Sequence, residues 1–326
     1  MDILTNASIE FIISLTAVFG VKKYLGKSLA DIPNERSSHT QVTPRGGGIG
    51  FIAAFAIMSI AIREIYPLPL PWFWLSLAPL IGVGILDDRY NISSLLRYLI
   101  QLGTASLIVY QLHAFPQPWL TSLGTVGMII AVGLTVIGIT AGINFYNFMD
   151  GLDGLVSGVV MVQLGFLAVW GNMPELWLLV ASLFGFICWN WSPAKIFMGD
   201  AGSTFLGATI AIVLLNEPDP IRAWMALTIT FPLIGDAIYT IIRRLQRGEN
   251  ITQAHRTHIY QRLQQSGLSH ASVATIYIIA TVSVGGLVTT LGSMGAGLST
   301  VGIIGSIAIS EFYLDRSAKL ANTSID

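Results

Sequence analysis

The chain of 326 residues is 53% hydrophobic and only 11% charged, against about 25% charged residues in ordinary soluble domains. A water-solvated fold is thereby excluded, and the lipid bilayer becomes the solvent to reason from. The formal net charge is -1, no nucleic acid is expected as a partner, and the single cysteine, Cys188, leaves no material for a disulfide or a zinc cluster.

A helix needs about 20 mostly apolar residues to cross the hydrocarbon. Eleven segments qualify: 7–25, 46–63, 70–86, 94–113, 124–143, 154–172, 175–192, 201–216, 221–242, 271–291 and 296–314. They predict an all-α polytopic membrane protein, one integral-membrane domain over 1–326, with little mass outside the bilayer. The first segment begins beside Asp2 and ends at Lys22, Lys23 and Lys27, the reverse of a signal peptide's charge order, which predicts a retained helix. The shortest segment is 201–216. No inverted repeat of the transporter kind is found.

Sorting the cations by loop sets the expected orientation. Fifteen of the seventeen Lys and Arg fall in the odd-numbered loops and the C-terminal tail, and only Arg63 and Arg222 fall on the other side. By the positive-inside rule the N-terminus is outside and the C-terminus cytoplasmic. The polar stretches 27–45, 87–93, 144–153, 193–200 and 243–270 then share the cytoplasmic face as candidate active-site loops. The tryptophans lie mainly near span ends, as interfacial anchors.

The first of these loops carries Asp31, Asn34, Arg36, Ser37, His39 and Arg45 before a glycine triplet, which suits either a phosphate clamp or a tight polar turn. Asp87 and Asp88 close the third span; adjacent carboxylates repel unless cations are near, and Arg89 and Arg97 supply charge. In NFYNFMDGLDG, Asn144, Asn147, Asp150 and Asp153 recur at intervals of three, a spacing that drifts around a helix and can surround a ligand. Two carboxylates and two amides at the end of an apolar span are costly unless paired. In AKIFMGDAGS, Lys195 and Asp200 precede the eighth span; small residues at a helix start let backbone N–H groups approach a phosphate, and one Asp there suits either Mg2+ or an N-cap. Asp236 lies inside the ninth span, where a functional and a structural partner are both open. HRTHIYQRL places His255 and His258 beside Arg256 and Arg262, which favours an anion over a metal pair.

Many carboxylates, several cations and glycine-rich helix ends on one face suit Mg2+ and a diphosphate. No nucleophilic Ser elbow, Walker loop or dinucleotide fingerprint is present. A secondary transporter or flippase would place polar residues near the midplane on both access paths, whereas these gather at one face.

In this order the RSSH and TPRGGG loop, the DD pair, NxxNxxDGLDG, FMGDAGS and the His loop resemble the polyprenyl-phosphate N-acetylhexosamine-1-phosphate transferases, over nearly the whole chain. The resemblance implies transfer of a sugar 1-phosphate from a UDP-N-acetylhexosamine to undecaprenyl phosphate, with release of UMP, Mg2+ as cofactor, a bacterial inner-membrane location and compatibility with a homodimer. It implies Asp200 and Asn147 as metal ligands, Arg97, His255, Arg256 and His258 on phosphate oxygens, and Asn144, Asp150 and Asp153 on nucleotide or metal-bound water. Arg45 and Lys195 join them as substrate-binding residues, and Asp87, Asp88 and Asp200 form the catalytic set. Asp87 and Asp88 could act as base, orient the acceptor or form a covalent intermediate. The peptidoglycan branch of the family carries three consecutive histidines in the last cytoplasmic loop, and the N-acetylglucosamine O-antigen branch a His-x-His-His pattern. His255-Arg-Thr-His258 is similar instead to the branch that starts O-antigen repeats with N-acetylfucosamine or N-acetylquinovosamine. Transfer of N-acetylglucosamine, or of the muramoyl-pentapeptide, phosphate is the alternative within the family.

Overall fold

A computed structural model describes residues 3–33, 41–62, 70–251, 253 and 255–323. Asn34, Arg36, Ser37 and His39 of the first predicted loop, and Arg63, lie outside the described residues. The described chain is helical apart from one two-stranded hairpin, in which β1 (Ala30–Asp31) pairs antiparallel with β2 (Thr43–Pro44).

Around that hairpin run α1 (Ile3–Tyr24), α2 (Gly47–Ala61), α3 (Leu70–Tyr90), α4 (Ser94–Leu112), α5 (Gly124–Met149), α6 (Leu155–Trp170) and α7 (Leu176–Asn190). The chain continues through α8 (Asp200–Leu215), α9 (Pro220–Leu227), α10 (Phe231–Gln246), α11 (Ile259–Gln265) and α12 (His270–Thr323). Among the described residues, five helical stretches are long and apolar enough to cross a membrane: Ile3–Tyr24, Ser94–Leu112, Pro118–Met149, Pro220–Gln246 and His270–Ser317. The chain is an all-α membrane protein. Four shorter apolar helices are α2, α6, α7 and α8, and α3 and α11 complete the described helices.

The shortness of α8 has a physical reason. Its 16 residues rise about 24 Å, less than the roughly 30 Å of hydrocarbon. Ala201 through Ile210 are all buried, with α2, α3, α4, α5, α6 and α9 packed around the helix. A helix apolar on every side belongs inside a protein core, so α8 is solvated by helices rather than by lipid. An aromatic cluster fixes one flank: Phe205 of α8 stacks on Trp74 at 6.1 Å and meets Phe73 of α3 at 6.2 Å and Phe51 of α2 at 6.3 Å.

Three boundaries differ from the sequence expectation. The helix predicted to end at 143 continues to Met149, so Asn144 and Asn147 sit on the last turns of α5 rather than in a loop. Segment 221–242 is broken, with α9 passing through a 3-10 turn at Thr228–Thr230 into α10 at Phe231–Pro232. Proline early in a helix lacks only an N–H that the first turn leaves unbonded anyway, which lets the axis change there. The last two predicted spans are the arms of α12, which bends at Gly292 with φ 58° and ψ -129°. The arms fold back on each other, since Ile276, Tyr277 and Ala280 line the same small cavity as Ile303, Ile307 and Ser310.

Asp236 proves to be a structural joint. It is 2% exposed, and Oδ1 accepts from the Ile259 amide at 2.9 Å and the Thr240 hydroxyl at 3.1 Å, while Oδ2 accepts from the Tyr260 amide at 3.1 Å and the Tyr277 hydroxyl at 2.7 Å. The carboxylate satisfies two N–H groups that α11 leaves without intrahelical partners and ties α10, α11 and α12 together. Asp236→Ala should lower stability by about 3 kcal/mol or more, because four buried donors lose their acceptor. Thermal unfolding in detergent checks this, and a midpoint equal to that of the parent would refute it.

Candidate active site

The site is assembled around the first turn of α8. Backbone hydrogen bonds dock the preceding segment onto the hairpin and the start of α2: Phe197 N donates to Pro44 O at 2.8 Å, Gly47 N to Phe197 O at 2.9 Å, and Gly48 N to Met198 O at 2.8 Å. This pairing brings Arg45 to the start of α8, where its charge acts on Asp88 and Asp150. Arg45 itself is held by Asp31 at 2.8 Å.

From the other flank, α3 and α4 present Asp87, Asp88 and Arg97. Asp87 Oδ1 accepts from the Ile92 amide at 2.6 Å, which closes the α3–α4 turn. One guanidinium nitrogen, Arg97 Nη1, reaches Asp87 Oδ2 at 2.8 Å and Asp200 Oδ2 at 2.9 Å, joining α3, α4 and α8. Asp88 Oδ1 accepts from the Asp200 amide at 3.1 Å, at the positive end of α8. Asp88 Oδ2 is buried and has no hydrogen-bond partner.

Gly199 makes room for that oxygen. Its φ is +80°, and a Cβ at this position would overlap Asp88 Oδ2. On the third flank, Asn147 Nδ2 donates to Ser203 Oγ at 2.9 Å, which pins the end of α5 to the first turn of α8. One turn earlier, Asn144 Nδ2 donates to Gln101 Oε1 of α4 at 2.5 Å and to Thr140 O at 2.8 Å. Asp150 caps the C-terminal end of α5.

Negative charge exceeds positive in this cluster. Asp88 is pushed up to about 7 by burial and then by Asp200, and Asp150 up to about 8 by burial, then by Asp200 and Asp88. Asp87 is raised as well, by burial and by Asp200. Carboxylates held so close call for a cation. Among the described residues no three His, Cys, Asp or Glu side chains converge as a self-sufficient metal site. That arrangement still fits Mg2+, which is commonly held by one or two carboxylates while water and substrate phosphates supply the other oxygens. The bare oxygen of Asp88, the carboxylate of Asp200 and the amide oxygen of Asn147 are the hard ligands it would need.

Asp153 and Lys195 face other partners. Asp153 Oδ1 lies 3.3 Å from His270 Nδ1, and Oδ2 accepts from the Ala194 amide at 3.1 Å. Burial would raise its pKa, but the bond to and charge of His270, with the Ala194 amide, hold it below the ordinary range. Lys195 is exposed and places its ammonium 5.6 Å from the centre of the Trp189 ring, on which Lys22 also sits at 5.1 Å.

The His loop docks on the end of α5 through Tyr260, a buried residue that sequence reasoning did not single out. Its hydroxyl donates to Phe148 O at 2.9 Å, and a Cβ on Gly151 would overlap the Tyr260 hydroxyl oxygen. His258 is 3% exposed, with Nδ1 3.5 Å from Asp236 Oδ1, so it belongs to the joint under α11 rather than to an open phosphate site. His255 is half-buried, 5.0 Å from the His258 ring and with Nδ1 3.1 Å from Thr257 Oγ1. Burial, then the charges of His258, Arg244 and Arg243, push it down to about 4, which leaves a neutral imidazole at pH 7. The Arg256 carbonyl accepts from Gln265 Nε2 at 3.2 Å.

Gln101 and Glu311 were also missed; each is a polar side chain inside an apolar span, the signal that should have flagged them. Gly199→Ala should destabilise the protein by about 1–3 kcal/mol through backbone strain and displace the Asp88 carboxylate. A thermal midpoint and turnover equal to those of the parent would remove the role given to Gly199.

Residues 70–216, which span α3 to α8, match the family model described as Glycosyl transferase family 4. The chain is 33% identical over 291 residues to the Bacillus subtilis probable undecaprenyl-phosphate N-acetylglucosaminyl 1-phosphate transferase, covering 83% of this chain and 81% of that one. Against the Yersinia pestis undecaprenyl-phosphate alpha-N-acetylglucosaminyl 1-phosphate transferase the identity is 31% over 297 residues, 83% of this chain and 79% of the relative. The Escherichia coli K12 protein of that name shares 28% over 304 residues, 86% and 81% of the two chains. With this identity sustained along most of the chain, and the acidic end of α3 and start of α8 inside the matched region, the chain belongs to glycosyl transferase family 4, the polyprenyl-phosphate N-acetylhexosamine-1-phosphate transferases.

Proposed function

We propose that the chain transfers an N-acetylhexosamine 1-phosphate from a UDP-sugar to undecaprenyl phosphate, releasing UMP and leaving an undecaprenyl-diphospho-sugar. The observation that carries this reading is the carboxylate cluster at the start of α8, short of positive charge and with one bare buried oxygen on Asp88. An apolar cavity of about 330 Å3 adds support. It begins at Tyr146 and Gly207 and is lined outward to Phe115, Trp119 and Trp224. Gly207 is about two helical turns beyond Asp200, so a prenyl chain in the cavity would hold its phosphate toward the cluster.

The eleven-crossing topology, with the cluster on the cytoplasmic side of a bacterial inner membrane, belongs to the same proposal. Its support is the distribution of Lys and Arg.

Chemically the reaction is an in-line displacement. An oxygen of the acceptor phosphate attacks the β-phosphorus of the UDP-sugar, the new P–O bond forms as the bond to the UMP oxygen breaks, and the electron pair leaves with UMP. Asp200, Asn147 and Asp88 would hold Mg2+, which when bound screens the charge on the diphosphate. Arg97, one third exposed at its side chain, is positioned by Asp87 and Asp200 to turn toward a phosphate oxygen. Arg45 and Arg256 supply further positive charge, and neutral His255 keeps Nε2 available as a hydrogen-bond donor. A phosphate monoester has its second pKa near about 6 and is already mostly dianionic at pH 7, so a general base adds little. Asp87 and Asp88 therefore orient rather than deprotonate.

The His255-Arg-Thr-His258 pattern favours N-acetylfucosamine or N-acetylquinovosamine as the donor sugar, and with it initiation of an O-antigen or related envelope glycan. The names of the relatives favour N-acetylglucosamine. Purified protein with undecaprenyl phosphate, Mg2+ and a panel of the three UDP-sugars tests both. UMP release with one of them is expected, and none with any of them overturns the proposal. Asp200→Ala should cut turnover by at least about a hundredfold while the protein remains folded, and near-normal turnover would remove the metal assignment.

The metal-free protein carries a linked signature. Asp88 and Asp150 titrate higher when folded than when unfolded, so they bind protons more tightly in the native state. Their contribution is fully present below about pH 3.9 and is lost as pH rises through about 7 and about 8. Thermal midpoints in EDTA should therefore fall from about pH 4 to about pH 8 and level off above it, and millimolar Mg2+ should restore them. A flat profile with no response to Mg2+ is the contrary result.

A further inference from the structure

Glu311 lies in the second arm of α12, on a stretch whose neighbours Ile304, Ile309 and Phe312 are exposed to the surroundings of the bundle at 64%, 71% and 68%. Its own side chain is 21% exposed and turns inward, between two arginines. Both guanidinium ends of Arg262 donate to it, Nη2 at 2.9 Å to Oε2 and Nη1 to Oε1. Arg243 Nη1 donates to Oε1 at 3.3 Å, and the Tyr239 hydroxyl completes the set. Arg243 and Arg262 repel each other, and among the described residues Glu311 is the carboxylate that bridges them.

What Arg243 does with its other terminal nitrogen gives this bridge a purpose. Arg243 Nη2 donates to the Thr257 carbonyl at 2.7 Å, and the Thr257 hydroxyl meets His255 Nδ1 at 3.1 Å. The adjacent Arg244 donates to the Asn250 carbonyl at 2.6 Å and pairs with Glu249 at 3.1 Å. Two neighbouring arginines on the last turn of α10 thus grip the loop at either end, and the one that grips beside His255 and Arg256 is the one aimed by Glu311. The second arm of α12 has its own apolar seat on α10, with Ile303 and Ile307 against Gly235. Its docking does not rest on the charge alone.

We propose that Glu311 is a positioning residue: by holding Arg243 between itself and the Thr257 carbonyl, it sets His255 and Arg256 in the geometry that receives the phosphates of the UDP-sugar. This rests on the proposed function for its consequence, and on the hydrogen-bond chain alone for its mechanism. Removing the charge loosens the loop without touching the carboxylate cluster on α8, so it weakens donor binding more than chemistry.

The test compares parent, Glu311→Gln and Glu311→Asp in detergent, each also in an Arg256→Ala background. For Glu311→Gln, KM for the UDP-sugar should rise about tenfold, the worth of one charge-assisted contact, with kcat within about twofold. Glu311→Asp, which keeps the charge, should recover part of the loss. In the Arg256→Ala background Glu311→Gln should add nothing, because both act through one loop. Amide hydrogen exchange should quicken over 255–258 and stay unchanged over 300–310. An unchanged KM, additive losses in the double variant, or parent-like exchange over 255–258 overturns the assignment. If the parent releases no UMP with any UDP-sugar, the proposed function falls, and the exchange measurement still decides whether Glu311 positions the loop.

Discussion

Four carboxylates, Asp87, Asp88, Asp150 and Asp200, gather where α3, α5 and α8 end or begin, and one guanidinium nitrogen of Arg97 bridges two of them. Coulomb repulsion at such range in a half-buried site is large, and much of the architecture serves to hold the group against it. The start of α8 offers its first amide, that of Asp200, to Asp88. The hairpin and the start of α2 dock on residues 197–198 and carry Arg45 in. The burial of α8 from Ala201 through Ile210 follows from the same requirement, since a helix that carries the focal charge can be approached from several flanks only if other helices surround it.

The remaining acidic residues divide by how fully their oxygens are satisfied. Asp236 accepts from four donors and has no capacity left for a ligand. Asp153 is occupied by His270 and the Ala194 amide, and Glu311 by two arginines. These three clasp elements together: α10 to α11 and α12, the turn after α5 to the segment before α8, and α12 to the His loop. Asp88 keeps a bare buried oxygen. Glu10 of α1 also keeps two buried oxygens without partners, but it stands outside the cluster. Since buried polar atoms in native proteins are almost always paired, it is a bare oxygen among four gathered carboxylates, and not either feature alone, that marks the site.

Much of this was legible before any tertiary structure. The scarcity of charge, the apolar segments, and the concentration of polar residues in a few short stretches follow from the cost of placing polar groups in hydrocarbon, which acts residue by residue. The bend in α12 was foreshadowed by two apolar stretches around Gly292, and the acidic start of α8 by Gly199 and Asp200 in FMGDAGS. The continuation of α5 through Asn144 and Asn147 was not legible, because their polarity resembles that of a loop until Gln101 and Ser203 are seen to receive their amides.

Spacing in the chain also misassigned partners. Asp153 continued the three-residue rhythm of Asn144, Asn147 and Asp150, yet the glycine turn after Asp150 carries it to His270, more than a hundred residues away. His258, three residues from His255, faces Asp236 instead of opening to a phosphate. Composition and local pattern determined that this is a helical membrane protein with its chemistry at helix ends, because hydration cost and helix periodicity are local quantities. Only the tertiary structure decided which carboxylates remain open to a ligand and which are consumed as clasps, because hydrogen-bond satisfaction depends on which helices meet, and that is settled by packing across the whole bundle.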